Sequence, residues 1–211
     1  MTDLRAQLVA AGAQLSALGL SPGASGNLSV RSASTMIVTP TGVPLSDLDT
    51  HMLSEIDLET SQVLSGPAPT KEFPLHRAMY ERSPAVGAIV HLHSPYATAW
   101  SCRPSENPAS AIPAITPYFV MKVGRTPLID YAPPGDPRMA DVITRPPFTF
   151  EAALLQNHGP VVAKSTMSQA VAAAIELEET CRILTILGSG PIHPLNDCQI
   201  EELRERYEIC W

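Results

Sequence analysis

Two histidines stand one residue apart at the end of an apolar run, in "AVGAIVHLHSPYATA" over residues 85–99. Successive side chains of a β-strand point to opposite faces, so His91 and His93 are expected to project from the same face. That geometry suits two ligands of one metal ion, because neutral imidazole is a common ligand of zinc and other divalent transition metals.

A third histidine, His158, also follows an apolar run and precedes a glycine in "ALLQNHGPVVAK". Catalytic zinc sites usually take three protein ligands and leave one position open. The simpler interpretation, inert hydrogen-bonded histidines at strand ends, would be preferred for a single histidine. The H-x-H pair, together with His158 at the end of a second predicted strand, favours the interpretation that these histidines bind a metal. The remaining histidines lack this context and are expected to be structural or exposed: His51, His76 and His193.

The elements that must position these side chains alternate along the chain. Leucines at helical spacing, capping residues and glycine stops predict helices, and short β-prone runs between turn residues predict strands. Strands are expected at 27–31, 35–39, 55–64, 85–93 and as a pair within 153–164; helices are expected at 2–18, 70–82, 94–102 and 166–188. The proline-rich stretch 103–147 is expected to hold little regular structure and to form functional or subunit-contact loops.

Composition sets further limits on fold and function. The chain has 211 residues, 45% hydrophobic, which favours one globular domain over 1–211. A net charge of -7 without a basic run argues against a nucleic-acid partner. Neither an apolar leader nor a membrane-length apolar run is present, so we expect a cytoplasmic protein with no membrane partner. The four cysteines show no C-x-x-C pairing and are expected to be free thiols.

Two loops rich in glycine, serine and threonine could approach an anion closely. They are "SPGASGNLSVR" at 21–31 and "TPTG" at 39–42. Small side chains allow backbone N–H groups and hydroxyls to contact a phosphate. Neither loop matches the P-loop spacing, and each alone would more often be an ordinary turn.

Taken together, five motifs in order resemble the class II aldolase/adducin family, which includes fuculose-phosphate aldolase and ribulose-phosphate 4-epimerase. They are "ASGNLSVR", "TPTG", "PTKE", "VHLHSPYATA" and "LLQNHG", and the resemblance extends from the first helix to about Leu187. It implies an α/β (α+β three-layer) fold with a central, mainly antiparallel nine-stranded sheet flanked by helices. It also implies a divalent metal, most often Zn²⁺ with Mn²⁺ or Co²⁺ as alternatives, and a homotetramer with sites at subunit interfaces.

The resemblance also implies roles for individual residues. Glu72 corresponds to the family's catalytic acid/base, which also touches the metal when substrate is absent. Three positions correspond to its metal ligands: His91, His93 and His158. The phosphate-binding positions correspond to Gly26, Asn27, Thr41, Gly42 and Thr70.

One departure from the family pattern lies at Lys71, where the sugar-phosphate aldolases usually have a small hydroxyl residue. A cation is unfavourable at the positive end of a helix dipole, which disfavours a merely solvated lysine. Lys71 is therefore predicted to be a second catalytic residue that contacts the substrate phosphate or carboxylate. Tyr118 and Lys122 are candidates for closing the site.

The segments "ITPYFVMKVG" (115–124) and "YAPPGD" (131–136) resemble the branch of 3-oxo-tetronate 4-phosphate decarboxylases. The expected substrate is then a small phosphorylated sugar acid, which loses carbon dioxide through a metal-stabilised enediolate to give dihydroxyacetone phosphate. The alternatives are a fuculose-phosphate type aldolase, a 4-epimerase, a methylthioribulose-phosphate dehydratase and, less favoured, a non-catalytic adducin-like module. The C-terminal segment is expected to pack as a helix rather than to cover a neighbouring site with Tyr207 or Trp211.

Overall fold

The computed structural model describes residues 3–207, 209 and 211. Over this part of the chain one sheet of eight strands forms the centre, in the order β4-β3-β2-β1-β5-β8-β7-β6. All neighbouring strands are antiparallel except β6 and β7. The strands are β1 Asn27–Ser32, β2 Thr35–Val38, β3 Ser54–Asp57, β4 Val63–Ser65, β5 Ala88–His91, β6 Leu128–Ile129, β7 Ala152–Leu155 and β8 Gly159–Lys164.

Seven helices flank the sheet in the described residues. The longest, α6, begins after Thr166, whose side chain accepts a hydrogen bond from the Gln169 N–H, and it ends at Gly188 with φ of 69°. Both boundaries agree with the helix expected over 166–188. The helices are α1 Leu4–Ala17, α2 Phe73–Arg82, α3 Pro95–Ser101, α4 Pro117–Lys122, α5 Arg138–Thr144, α6 Met167–Leu187 and α7 Asp197–Tyr207.

The two faces of the sheet bury separate apolar clusters. Val90 of β5 and Val162 of β8 belong to the larger cluster, which also includes residues of α1, α3, α4 and α6. Ile89 and Val161 point the other way, into a cluster shared with α2 and α5. This alternation produces the three-layer arrangement and determines the face from which β5 presents the side chain of His91.

The fold class agrees with the expectation, but some details differ. Eight strands are found in the described residues instead of nine. Proline lacks the N–H that a strand ladder requires, and the proline-rich stretch 103–147 supplies only the two-residue β6 along with α4 and α5. Helix α2 begins at Phe73 rather than at residue 70, because residues 70–72 form a turn with a Phe73 N–H to Thr70 carbonyl bond of 3.2 Å.

The structure also bears on membrane spans and on the cysteines. Among the described residues, no helix is both long enough and apolar enough to cross a bilayer. The thiols of Cys102, Cys181 and Cys198 are free, and Cys210 lies outside the described residues.

Candidate active site

His91 is the last residue of β5 and is completely buried. Its Nδ1 lies 2.9 Å from the carbonyl oxygen of Pro160 on the neighbouring strand β8. A carbonyl only accepts hydrogen bonds, so Nδ1 carries the hydrogen. With the hydrogen on Nδ1 the ring turns Nε2 toward the site, as is usual for a metal-binding histidine held by an outer partner.

The turn between β7 and β8 brings His158 against the end of β5. Asn157 adopts φ of 57° and Gly159 φ of 156°. A Cβ atom at Gly159 would lie only 2.3 Å from the carbonyl oxygen of Leu92, so a side chain at this position would collide with the backbone. The glycine of the N-H-G motif therefore permits the close approach that places His158 beside His91 and His93.

Four side chains converge at this point. The Nε2 atoms of His93 and His91 are 3.2 Å apart, and those of His158 and His93 are 3.0 Å apart. The Glu72 carboxylate oxygens lie 3.4 Å from Nε2 of His91 and 3.2 Å from Nε2 of His158. The structure thus brings together all four residues predicted to contact a metal, with one ligand atom from each lying within 4.8 Å of the others.

The donor set fits a divalent metal ion. Nitrogen atoms about 3 Å apart can share one cation, since zinc–nitrogen bonds are about 2.0–2.1 Å long. Two buried atoms, Glu72 Oε1 and His158 Nδ1, have no hydrogen-bond partner among the described residues. A buried carboxylate beside the Nε2 atoms of two histidines, with one oxygen that accepts no hydrogen bond from a described residue, indicates a cation site, because burial without such a bond is costly.

Charge and burial oppose each other at Glu72. Burial disfavours its ionised form, but His91 and His158 outweigh this effect and hold the pKa of the carboxyl below its usual value. Burial, together with His91 and His158, lowers the pKa of His93 to about 4. At neutral pH the site therefore offers a carboxylate and a neutral His93 ring, the forms that bind metals.

Asn27 and Thr70 hold Glu72 in place. Asn27 begins β1, pairs with His91 across the sheet and donates from Nδ2 to Glu72 Oε2 at 2.8 Å. Thr70 Oγ1 accepts a hydrogen bond of 3.2 Å from the Glu72 N–H. The Thr70 N–H in turn donates to the Thr39 carbonyl at 3.0 Å, which brings the "TPTG" loop against the "PTKE" turn.

Among the predicted phosphate-binding residues, Asn27 and Thr70 contact Glu72, and Gly26 lies beside His91. Gly26 has φ of 79°, and a Cβ there would lie 3.0 Å from the His91 carbonyl oxygen, so glycine allows this close packing. Thr41 and Gly42 are exposed, whereas Asn27 and Thr70 are buried. Phosphate binding by these residues stays a prediction.

Lys71 is exposed, and its ammonium group has no hydrogen bond or ion pair with a described residue. The "YAPPGD" loop lies against it, since a Cβ at Gly135 would be 3.1 Å from the Lys71 Cβ. Lys71 and the 131–136 loop, two of the features on which the resemblance to the decarboxylase branch rests, are therefore neighbours. The catalytic role of Lys71 stays a prediction.

Lys122 lies away from the cluster of His91, His93 and His158 in the same chain. It pairs with Glu176 at 3.4 Å, and its ammonium lies 5.0 Å from the ring centre of the exposed Tyr118. It also lines a cavity with Lys164, at the end of β8 remote from His158. Site closure by Tyr118 and Lys122 stays a prediction.

The C-terminal residues pack against the same region of the chain. The ring of Trp211 contacts Phe119 edge to face, with centroids 6.0 Å apart. Tyr207 ends α7 and is half exposed. Within one chain this arrangement matches the expected packing of a terminal helix.

Sequence reasoning missed Glu178, which supports the helix that follows the H-x-H motif. This carboxylate of α6 is buried and accepts hydrogen bonds of 2.8 Å from the backbone N–H groups of both Tyr96 and Ala97. It caps α3 in place of Ser94, whose hydroxyl makes no capping bond. The one feature of the sequence that could have indicated this role is that Glu178 falls among the apolar residues on the buried face of the predicted helix.

Replacing Glu178 by glutamine is expected to destabilise the protein by about 1–3 kcal/mol, because an amide NH₂ group would face a backbone N–H and leave it unpaired. For a chain of this size the thermal midpoint should fall by about 2–4 °C for each kcal/mol. The adjacent Glu179→Gln alters only an exposed pair with Arg182 and should cost less than about 0.5 kcal/mol. Equal midpoints for the two variants would contradict the capping role.

His76 is structural, as expected, but completely buried. Burial, with a smaller contribution from His91 and opposed by Glu72, lowers its pKa from 6.5 to about 3. Below pH 6.5 the unfolded chain therefore binds a proton that the folded chain does not, and stability falls as the pH falls. Between pH 7 and pH 5 wild type should lose about 2 kcal/mol more than His76→Gln, as measured by denaturant unfolding of the metal-free proteins. Equal losses of unfolding free energy in the two proteins would show that folding does not lower the pKa of His76.

Comparison with known proteins agrees with this geometry. Residues 6–185 match the family model of the class II aldolase and adducin N-terminal domain. The chain belongs to this family, which confirms the resemblance drawn from the five motifs in its sequence.

Within the family, the chain is 41% identical to the 3-oxo-tetronate 4-phosphate decarboxylase of Haemophilus influenzae over 98% of this chain and 99% of that protein. The crystal structure of YgbL from Klebsiella pneumoniae, described as an aldolase/epimerase/decarboxylase, superposes with a TM-score of 0.91 at 42% identity and covers 95% of this chain and 97% of that chain. The L-fuculose phosphate aldolase of Escherichia coli is 30% identical over 97% of this chain and 94% of that protein.

Proposed function

We propose that this protein decarboxylates a 3-oxo-tetronate 4-phosphate to dihydroxyacetone phosphate and carbon dioxide. The observation that carries the proposal is the Glu72 carboxylate within 3.4 Å of two histidines of a three-histidine cluster. The choice of reaction within the family is supported by 41% identity to a decarboxylase against 30% to an aldolase, each over nearly the whole chain.

The reaction balances with one added proton. The bond between C1 and C2 breaks, carbon dioxide leaves, and the electron pair moves into the C3 carbonyl to give an enediolate. Protonation at C2 then yields the hydroxymethyl group of dihydroxyacetone phosphate. A divalent cation held by His91, His93 and His158 would supply Lewis-acid stabilisation of the developing negative charge, which is worth several kcal/mol.

Glu72 is proposed to deliver the proton to C2. Its pKa reflects a balance in which burial favours the protonated form and the histidines favour the ionised form. When bound substrate separates the carboxylate from the histidines, the effect of burial dominates and Glu72 takes up a proton from solvent. A buried carboxylic acid then faces the carbon that must be protonated.

The other site residues are proposed to bind and orient the substrate. Thr41, Gly42 and the Asn27 region would hold the phosphate, while the exposed ammonium of Lys71 would attract the carboxylate. A phosphorylated substrate also favours a cytoplasmic location.

The family resemblance supports zinc as the ion and a homotetramer as the assembly. Exposed apolar side chains supply contact area for neighbouring subunits. They include Leu18, Leu64, Ile186 and Leu187.

Product analysis tests this proposal against its alternatives. Metal-loaded protein is incubated separately with 3-oxo-tetronate 4-phosphate, L-fuculose 1-phosphate and a methylthioribulose phosphate, with a protein-free control for spontaneous decarboxylation. The proposal predicts carbon dioxide and dihydroxyacetone phosphate in equal amounts from the first substrate alone. Cleavage of the ketose phosphate without carbon dioxide would identify an aldolase, and loss of water would identify a dehydratase.

A further inference from the structure

A continuous chain of buried hydrogen bonds runs from Tyr80 to the candidate acid Glu72. The Tyr80 hydroxyl lies 2.9 Å from Ser29 Oγ, and Ser29 Oγ lies 2.7 Å from Nδ1 of His76. On its other side, Nε2 of His76 lies 2.5 Å from Oδ1 of Asn27, whose Nδ2 donates to Glu72. Tyr80, Ser29, His76 and Asn27 are all buried.

The carboxylate at one end determines the direction of every bond. An ionised Glu72 only accepts, so the NH₂ group of Asn27 must face it and the amide oxygen must face His76. His76 must then donate from Nε2, which leaves Nδ1 to accept from the Ser29 hydroxyl. The Ser29 oxygen in turn accepts from Tyr80.

The electrostatics of the buried residues agree with this direction. Burial keeps His76 neutral, the only state in which one ring nitrogen donates while the other accepts. Burial also raises the pKa of Tyr80, so its hydroxyl keeps the proton that it donates to Ser29.

We propose that His76 is a positioning residue that locks the Asn27 carboxamide in the orientation that donates to Glu72. Without the N–H of His76 the amide is free to rotate, and its oxygen would then repel the carboxylate and displace it from the histidine cluster. In catalysis this inference rests on the proposed role of Glu72, but the orientation of Asn27 and its effect on the cluster do not depend on the substrate.

Two amide substitutions separate this role from simple packing. In His76→Gln the side-chain amide nitrogen reaches about as far as Nε2 and can still donate to Asn27. In His76→Asn the amide ends near the position of Nδ1 and does not reach. Both remove the ring, so the difference between them reports the bond to Asn27. Tyr80→Phe is the control for a lost hydrogen bond at the far end of the chain.

The first readout is binding of Co²⁺ to metal-free protein, followed by visible absorption. His76→Asn should weaken Co²⁺ binding by about 10- to 100-fold, as expected for the loss of an outer-shell partner, while His76→Gln and Tyr80→Phe stay within about threefold of wild type. In the decarboxylation assay, His76→Asn should lower kcat with little change in KM, and His76→Gln should restore it. Equal Co²⁺ affinities for the two amide variants would overturn the proposal.

A second measurement uses the wild-type protein and so does not depend on the folding of a variant. Nitrogen-15 spectra of the histidines in wild-type protein should show His76 neutral with its hydrogen on Nε2. A hydrogen on Nδ1 would overturn the proposal. Neither readout uses the substrate, so a protein that shows the expected tautomer and Co²⁺ affinities but releases no carbon dioxide would refute the proposed function and leave the role of His76 intact.

Discussion

Replacing Glu72 by glutamine is expected to lower kcat for carbon dioxide release by about 10²- to 10⁴-fold, the usual contribution of a general acid. Glutamine preserves the shape of the side chain but has no proton to deliver to C2. The three histidines remain, so the variant should still load with metal when Zn²⁺ is supplied. Metal affinity should fall as well, since Glu72 lies among the ligand atoms, so turnover is compared at saturating Zn²⁺.

Glu81→Gln is the matched control, since Glu81 lies on α2 and its ion pair among the described residues is with Arg77 at the surface. Its turnover should equal that of wild type. Full activity of Glu72→Gln would remove this residue from the chemistry. A complete loss of metal in that variant would instead make Glu72 an essential ligand. The lowered turnover would then be explained by the missing metal and would not support a role of Glu72 as the acid.

Replacing His93 by alanine is expected to abolish stable metal binding and to lower turnover by at least about 10³-fold. Only two histidines and Glu72 would remain as ligands. Loss of a Lewis-acid contribution of several kcal/mol corresponds to a factor of ten for every 1.36 kcal/mol. Metal analysis after gel filtration, followed by kinetic assays with and without added Zn²⁺, measures both effects.

Chelator treatment of wild type should reproduce the same loss, and added metal should reverse it. His51→Ala is the control, because that side chain is 94% exposed and lies in a separate loop. Undiminished turnover of metal-free protein would contradict the assignment of His91, His93 and His158 as ligands.

Local sequence rules predicted much of the framework because they depend on adjacent residues. Alternation along the predicted strand 85–93 was sufficient to identify His91 and His93 as a candidate pair, although β5 ends at His91. The glycine after His158 marked the tight turn that brings the third histidine to them. The limits of α6 followed from Thr166 and Gly188, residues whose capping roles are local.

Features that depend on contacts between distant segments were not predictable in this way. Glu72 was identified through resemblance to a family, because nothing in its neighbouring residues shows that it meets His91 and His158. Glu178 reaches α3 across 81 and 82 residues of sequence, and the link from His76 to Asn27 spans 49 residues. The direction of those hydrogen bonds became clear only when the partners of each atom were known.

The most direct test of the proposed reaction follows a substrate labelled with ¹³C at C1 during turnover in D₂O. We predict that the label leaves entirely as carbon dioxide and bicarbonate. Dihydroxyacetone phosphate should gain one deuterium at the carbon derived from C2, at a rate that Glu72→Gln reduces in parallel. Retention of the label in an organic product would contradict decarboxylation and return the protein to the carbon-conserving or aldol-cleaving reactions of its family.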